Sequence, residues 1–261
     1  MLFRSEEVFI MYHQITELYF KLAIHEFKQI SQAKNVTVDL MIQKLQRINR
    51  YFVALTDSFS IMVDGMEPGQ FQKFRMSLLP ASGFQSAQYR CIEIYSTEFE
   101  RLVSKDFREQ MNQQNASMEQ MFEHIYWKAG ATELATGKKT LTLIQFEEKY
   151  SAQLIILAKS MVGVNLLSKY KELSSEDQKN ETLVKLMKQL DVNVNINWPL
   201  SHYKSAVRYL QKDPVDIAAT GGTNWQKYLP PRFQKRIFYY ELWSQEELDN
   251  WGKAWVEDLF K

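Results

Sequence analysis

Residues 5–34 read SEEVFIMYHQITELYFKLAIHEFKQISQAK. At about 100° per residue, Phe9, His13, Thr16, Phe20 and Ile24 fall in one narrow stripe, the signature of a long helix with one buried face. Ser5 followed by Glu6 and Glu7 suits a helix start, with acidic side chains against the positive end of the helix dipole. Working outward, a second helix is expected over 38–63. The stretch Asp64-Gly65-Met66-Glu67-Pro68-Gly69 then reads as a turn. A short helix over 71–78 is stopped by Pro80 and the small residues Ala81, Ser82 and Gly83. Further helices are expected over 84–98, 99–112, 116–129, 142–171, 182–190, 197–211 and 244–259. Pro199 is tolerable in the first turn of its helix. Ser174–Glu181 reads as a loop with a capping start, and Ala219–Thr223 as a small-residue loop. Neither repeats nor a dividing linker interrupt the chain. The expectation is one all-α helical-bundle domain over residues 1–261.

Composition agrees. Nine glycines and six prolines in 261 residues are too few for the many turns of an all-β fold. Lysine and arginine number 32 against 31 acidic residues, a net charge of +1, which removes the electrostatic case for a nucleic-acid binder. The single cysteine, Cys91, excludes a disulfide framework, a multi-cysteine metal centre and covalent haem attachment. One unpaired thiol fits a reducing, cytoplasmic setting. Glu6 and Glu7 break any signal-peptide run, and no apolar stretch reaches the roughly 18 residues of a membrane span. Sixteen Phe, thirteen Tyr and six Trp supply either a stiff core or a pocket for a flat ligand.

Four histidines carry most of the chemical potential. The residues three before them are Ile10, Leu22, Met121 and Pro199, so the Glu-x-x-His pairs of a carboxylate-bridged di-iron bundle are absent. A His-Glu-x-x-His zinc helix, a Gly-x-Gly-x-x-Gly turn and a Walker loop are absent too. His13 lies on the Phe9/Phe20 face of its helix. His202 shares a stripe with Trp198, Ala206 and Tyr209, where one small residue among aromatics would let a flat macrocycle approach the imidazole. Taken alone, such a histidine is more often a satisfied core residue than a ligand. Arg75, one turn after Phe71, is either a surface arginine beside a turn or a planar fork for a ligand carboxylate. Thr220-Gly221-Gly222 offers backbone N–H groups and a hydroxyl, as anion sites do, or is simply a loop.

In order, FIMYHQITELYFK (Phe9–Lys21), FRMSLLPASGFQSAQYR (Phe74–Arg90), SHYKSAVRYL (Ser201–Leu210) and ATGGTNW (Ala219–Trp225) resemble the tryptophan 2,3-dioxygenase family. The closing RIFYYELWSQEEL is similar to the C-terminus of its bacterial members. The resemblance implies an all-α fold of the haem-dependent tryptophan/indoleamine dioxygenase type. It also implies non-covalent haem b, active as Fe(II), and a homotetramer built as a dimer of dimers. The implied reaction cleaves the indole C2–C3 bond of L-tryptophan with O2 to give N-formyl-L-kynurenine. By resemblance His202 is the axial ligand of the haem iron and His13 the catalytic distal histidine, near the indole N–H. Phe9, Ile10, Met11 and Tyr12 are implied to wall the indole pocket, with Phe71 an aromatic neighbour. Arg75 is implied to hold the substrate carboxylate, Ser82 to face the pocket, and Thr220 to grip the amino-acid end. Neither nucleic acid nor membrane is an implied partner.

Two departures bear on these expectations. Family members carry a segment before the Phe-x-x-x-His helix that lends aromatic residues to a neighbouring subunit's pocket, whereas eight residues precede Phe9 here. Lys212–Asp216 looks like an insertion between His202 and Thr220. Two other functions stay open on the sequence alone. One is a haem monooxygenase of the same fold acting on a substituted indole or another aromatic amino acid. The other is a non-catalytic helical protein with a truncated site.

Overall fold

The computed structural model describes residues 4–74, 85–111, 116–132, 137–210 and 235–252. Among them the chain is helical, with only two isolated bridges, Val103 to Ile125 and Thr132 to Lys139. Helices α1 (Arg4–Ser31) and α2 (Val38–Ser58) pair as a hairpin. Of the stripe read from the sequence, Thr16 and Phe20 are buried, Phe9 and Ile24 half-buried and His13 exposed; the buried face of α1 is turned toward Tyr12, Ala23, Phe27 and Ile30. Phe20, Phe27 and Ile30 of α1 meet Leu45, Ile48 and Phe52 of α2, and all six are essentially inaccessible. The Thr37 hydroxyl accepts from the Leu40 N–H and starts α2. Ser5 departs from the expected cap. It lies inside α1, and its hydroxyl instead accepts from the Glu67 N–H at 2.9 Å, tying the helix start to the turn after α2.

Short helices α3 (Ser60–Val63) and α4 (Pro68–Phe74) follow, then α5 (Ala87–Ser96). A 3-10 turn (Phe99–Leu102), α6 (Lys105–Met111), α7 (Met118–Glu123) and α8 (Tyr126–Ala129) lead to α9 (Leu141–Ser160) and α10 (Leu166–Lys171). Several expected helices are split. The 38–63 run breaks at Phe59, which caps both α2 and α3. The 116–129 run breaks where Ile125 bridges Val103. The 142–171 run breaks at Gly163, whose φ of 74° suits a residue without Cβ.

The opposite correction holds for 182–190 and 197–211. Helices α11 (Glu181–Val192) and α12 (Trp198–Leu210) are one continuous rod, joined by a π-helical turn at Asn193–Asn197. This rod packs on α2, and its second half also meets α3 and α4.

The segment 235–252, with a 3-10 turn (Tyr240–Leu242) and α13 (Gln245–Asp249), is fastened to the bundle by charge. The buried Asp191 carboxylate accepts from the Phe238 and Tyr239 backbone N–H groups, Trp243 Nε1 and Asn195 Nδ2. Burial raises its pKa to about 6, although those four donors pull it down. Among the described residues no helix is long and apolar enough to cross a membrane.

Candidate functional site

Four elements meet where the sequence placed its two distinctive histidines. α1 presents Phe9 and His13, the α2–α3 junction Phe59, α4 Phe71 and Phe74, and α12 Trp198, His202 and Tyr209. Phe9 lies 5.9 Å from Phe74 and 6.4 Å from Phe71, ring to ring, and Phe71 lies 4.9 Å from Tyr209. On the other side His202 packs on Trp198 at 4.5 Å and Phe59 at 4.8 Å, and Phe59 meets Tyr12 edge-on at 5.6 Å. Two aromatic paths thus run between α1 and α12. The Tyr209 hydroxyl donates to the Val63 and Met66 carbonyls, fixing the far end of α12.

Both histidines are held in the same way. His13 Nδ1 lies 2.7 Å from the Phe9 carbonyl, and His202 Nδ1 lies 3.0 Å from the Trp198 carbonyl. A carbonyl only accepts, so each Nδ1 carries the proton and each Nε2 keeps its lone pair. Burial pushes the His202 pKa down to about 4, the Trp198 carbonyl opposing this and the nearby His13 adding to it. His13 is exposed at the surface of α1, yet the protein mass around its ring also lowers its pKa, opposed by the Phe9 carbonyl. Phe9 and Phe71 link His13 to Tyr209 of α12, and Phe59 links His202 to Tyr12 of α1, so the two imidazoles border one aromatic cluster. Two neutral imidazoles result, each with its Nε2 lone pair available among the described residues.

The helical phase separates the remaining residues of the FIMYH motif. Phe9 faces the site. Tyr12 turns into the core, its hydroxyl donating to the Leu55 carbonyl at 3.0 Å with Ser58 Oγ at 3.1 Å. Ile10 and Met11 lie exposed beside His13, at 41% and 53%. Phe71 is buried in the aromatic path. Arg75, Ser82 and Thr220 lie outside the described residues. Phe59 was not singled out in the sequence, because it falls inside a run that reads as unbroken helix. A surface cleft of about 450 Å³ on α5, α9 and α10 holds none of these residues, and its Glu98 is already paired with Arg101 and Lys171.

Among the described residues, no three His, Cys, Asp or Glu side chains converge. A metal bound through His202 would find no further His, Cys, Asp or Glu cluster among the described residues, which fits a metal whose other ligands come from a porphyrin. The donor set fits haem. One anchored, neutral imidazole could hold its iron, and flat aromatic walls suit a macrocycle.

The fold and site define an all-α protein with an aromatic-walled histidine pair. The family model for tryptophan 2,3-dioxygenase matches residues 3–197, and the chain belongs to that family. The matched region contains Phe9, His13, Phe71, Arg75 and Ser82 and ends before His202 and Thr220. Tryptophan 2,3-dioxygenase of Alteromonas mediterranea is 37% identical over 112 residues, covering 41% of this chain and 30% of that protein. The Ruegeria enzyme of the same name is 40% identical over 91 residues, covering 34% and 32%. That of the insect Mayetiola destructor is 40% identical over 95 residues, covering 34% and 24%. The alignments thus span about a third or less of each relative.

Proposed function

We propose that this chain is a cytoplasmic haem b dioxygenase that converts L-tryptophan and O2 to N-formyl-L-kynurenine, with both oxygen atoms entering across the indole C2–C3 bond. The observation that carries the reading is the pair of Nδ1-anchored histidines, one on α1 and one on α12, bordering one aromatic cluster in a chain of this family. Ferrous haem, when bound, supplies the activation of O2. His202 would hold it, its ring set by the Trp198 carbonyl and wedged between Trp198 and Phe59. His13, neutral and with Nε2 free to accept, orients the indole N–H. Phe9 and Phe71 exclude water beside it. Arg75 and Thr220 fix the zwitterion, so that the reacting carbons are held by proximity. The test is anaerobic reduction of the haem-loaded protein, then L-tryptophan and O2, with product absorbance followed. A singly oxygenated product would favour the monooxygenase reading, and a protein that takes up no haem would favour the non-catalytic one.

Arg75 separates an amino-acid oxygenase from a bare indole oxygenase. Removing one member of a desolvated guanidinium–carboxylate pair costs roughly 2–5 kcal/mol. Arg75→Leu should therefore weaken L-tryptophan binding by about 30-fold or more and leave 3-methylindole, which has no carboxylate, nearly unchanged. Equal weakening of both ligands would make Arg75 a residue of pocket shape.

The reading includes a homo-oligomer assembled as a dimer of dimers, and α1 offers a surface for it. Met11, Ile15, Leu18 and Leu22 are 53%, 42%, 62% and 47% exposed, at the alternating four- and three-residue spacing of a helix–helix seam. In an antiparallel pair of copies, Met11 meets Leu22 and Ile15 meets Leu18. The exposed flanks then place Glu7 opposite Lys28, an opposite-charge pair repeated by the two-fold, and the neutral Gln14 opposite Lys21. Leu18→Glu should lower the mass measured by light scattering, with the helical circular dichroism unchanged. An unaltered mass would remove α1 from the interface.

A further inference from the structure

The π turn between α11 and α12 has a cause in the sequence and a consequence for His202. Pro199 has no N–H, and its ring clashes with the carbonyl four residues back, so it cannot sit inside a regular α-helix. Here the Trp198 N–H reaches back five residues to the Asn193 carbonyl, the π hydrogen bond. The Val194 carbonyl then loses both possible helical donors, since Trp198 has gone elsewhere and Pro199 has none. The buried Tyr89 hydroxyl of α5 donates to it instead, at 2.7 Å. On the opposite side a chain of amides holds the same turn. Asn197 donates to Asn193, Asn193 to Asn49 of α2, and Asn49 to the Leu186 carbonyl, at 2.9, 3.0 and 3.0 Å.

The consequence is rotational. At about 100° per residue, Leu183, Met187, Leu190 and Val194 form the buried stripe of α11. Continued as unbroken α-helix, that stripe would next present Ser201 and Ser205, and His202 would point about 100° away. A π turn takes up one extra residue, which cancels that angle. Trp198, His202 and Tyr209 then fall in line with Leu183 and Val194. Trp198, Tyr209, Leu183 and Val194 do share one core cluster, with the half-buried His202 packed on Trp198. Ser201 is also buried and donates to the Asn197 carbonyl.

We infer that the Asn193–Asn197 π turn is the register device that aims His202 into the site, and that Tyr89, by capping the Val194 carbonyl, is a positioning residue for it. This rests on the reading of His202 as the haem ligand. Tyr89→Phe keeps the ring packed on Phe20 and removes only the hydroxyl, which also accepts from Arg236, so exchange is read over 193–202 and not over the Arg236 segment. Tyr170→Phe is the control. It deletes a comparable bond, from the α10 tyrosine to the Gln178 carbonyl at 2.7 Å, with no link to the turn.

In the haem-free chain, amide hydrogen exchange over 193–202 should speed up about tenfold or more in Tyr89→Phe and stay unchanged in Tyr170→Phe. In the haem-loaded ferrous protein, the iron–histidine stretching band should shift or split in Tyr89→Phe alone, and haem transfer to an acceptor globin should quicken by about tenfold. Exchange and band both matching the parent chain in Tyr89→Phe would overturn the inference, as would equal effects of the two variants. A parent chain that binds no haem through His202 would instead sink the proposed function, and hydrogen exchange would still decide whether Tyr89 holds the turn.

Discussion

His202→Ala should leave a folded and colourless protein. The imidazole is the one group of α12 whose local bonding prepares it for iron. Its Nδ1–H is spent on the Trp198 carbonyl, its ring is wedged by Trp198 and Phe59, and its Nε2 lone pair is available among the described residues. Truncation removes that bond but little of the packing, since Trp198, Tyr209 and the core of α2 remain. Haem per chain after reconstitution should drop by about tenfold or more, a loss of roughly 1.4 kcal/mol or greater. The helical signal should be retained. Burial holds the folded-state pKa near 4, below the ordinary 6.5, so the imidazole stays neutral well into the acid range. Haem retention in the unmutated chain should therefore be flat from about pH 7 to pH 5 and fall as pH drops through about 4. The folding contribution has the same sign. The unfolded chain takes up the proton first, so stability declines as pH falls from 6.5 toward 4 and is constant below that range. Stoichiometric haem with an unchanged spectrum in His202→Ala would refute the axial assignment.

The parts of this site that were legible in the sequence are those set by local geometry. Phe9 and His13, like Trp198 and His202, are one helical turn apart. That spacing places the aromatic ring against the imidazole and the carbonyl one turn back within reach of Nδ1. Helix α1 was legible for the same reason, although of its expected stripe only Thr16 and Phe20 are buried. What was not legible depends on contacts far apart in sequence. Pro199 looked like a residue in the first turn of a new helix. The structure keeps the rod continuous because Tyr89, 105 positions away, satisfies the carbonyl that proline strands. Phe59 sits among Asp57, Ser58 and Ser60 within a longer helical pattern and reads as part of one helix, yet it marks the break and supplies one wall of the His202 site. The Ile10–Met11–Tyr12 run reads as a single wall. Successive side chains on a helix diverge by about 100°, so one went to the core and two to the surface. Nothing in the sequence marked Arg90, Glu93 and Arg236 as a group, since the last lies 143 positions from the second.

That cluster yields the second large effect, Glu93→Gln. The Glu93 side chain is fully buried and lies between two guanidiniums, 2.8 Å from Arg90 and 2.6 Å from Arg236, with the Tyr126 hydroxyl donating to it. Two cations face one anion, and the excess charge is spread over ring faces. Arg90 lies 4.7 Å from the centroid of Tyr89, and Arg236 lies 4.3 Å from that of Tyr126. Both guanidinium Nε atoms are already buried without an acceptor. Glutamine keeps the shape and the hydrogen-bond acceptor but removes the only negative charge among these three residues. Breaking a buried pair in this way costs about 3–5 kcal/mol, which for a chain of this size lowers the melting temperature by on the order of 10 °C. The loss should appear first where Arg236 anchors residues 235–252, as faster hydrogen exchange there than in α1 or α2. Arg236→Met removes one cation, so the double variant Glu93→Gln/Arg236→Met should lose less than the sum of the two single changes, the mark of charge coupling between contacting residues. Strict additivity, or a melting temperature within about 2 °C of the parent chain for Glu93→Gln, less than the shift expected from 1 kcal/mol, would mean that shape and not charge holds this corner of the bundle.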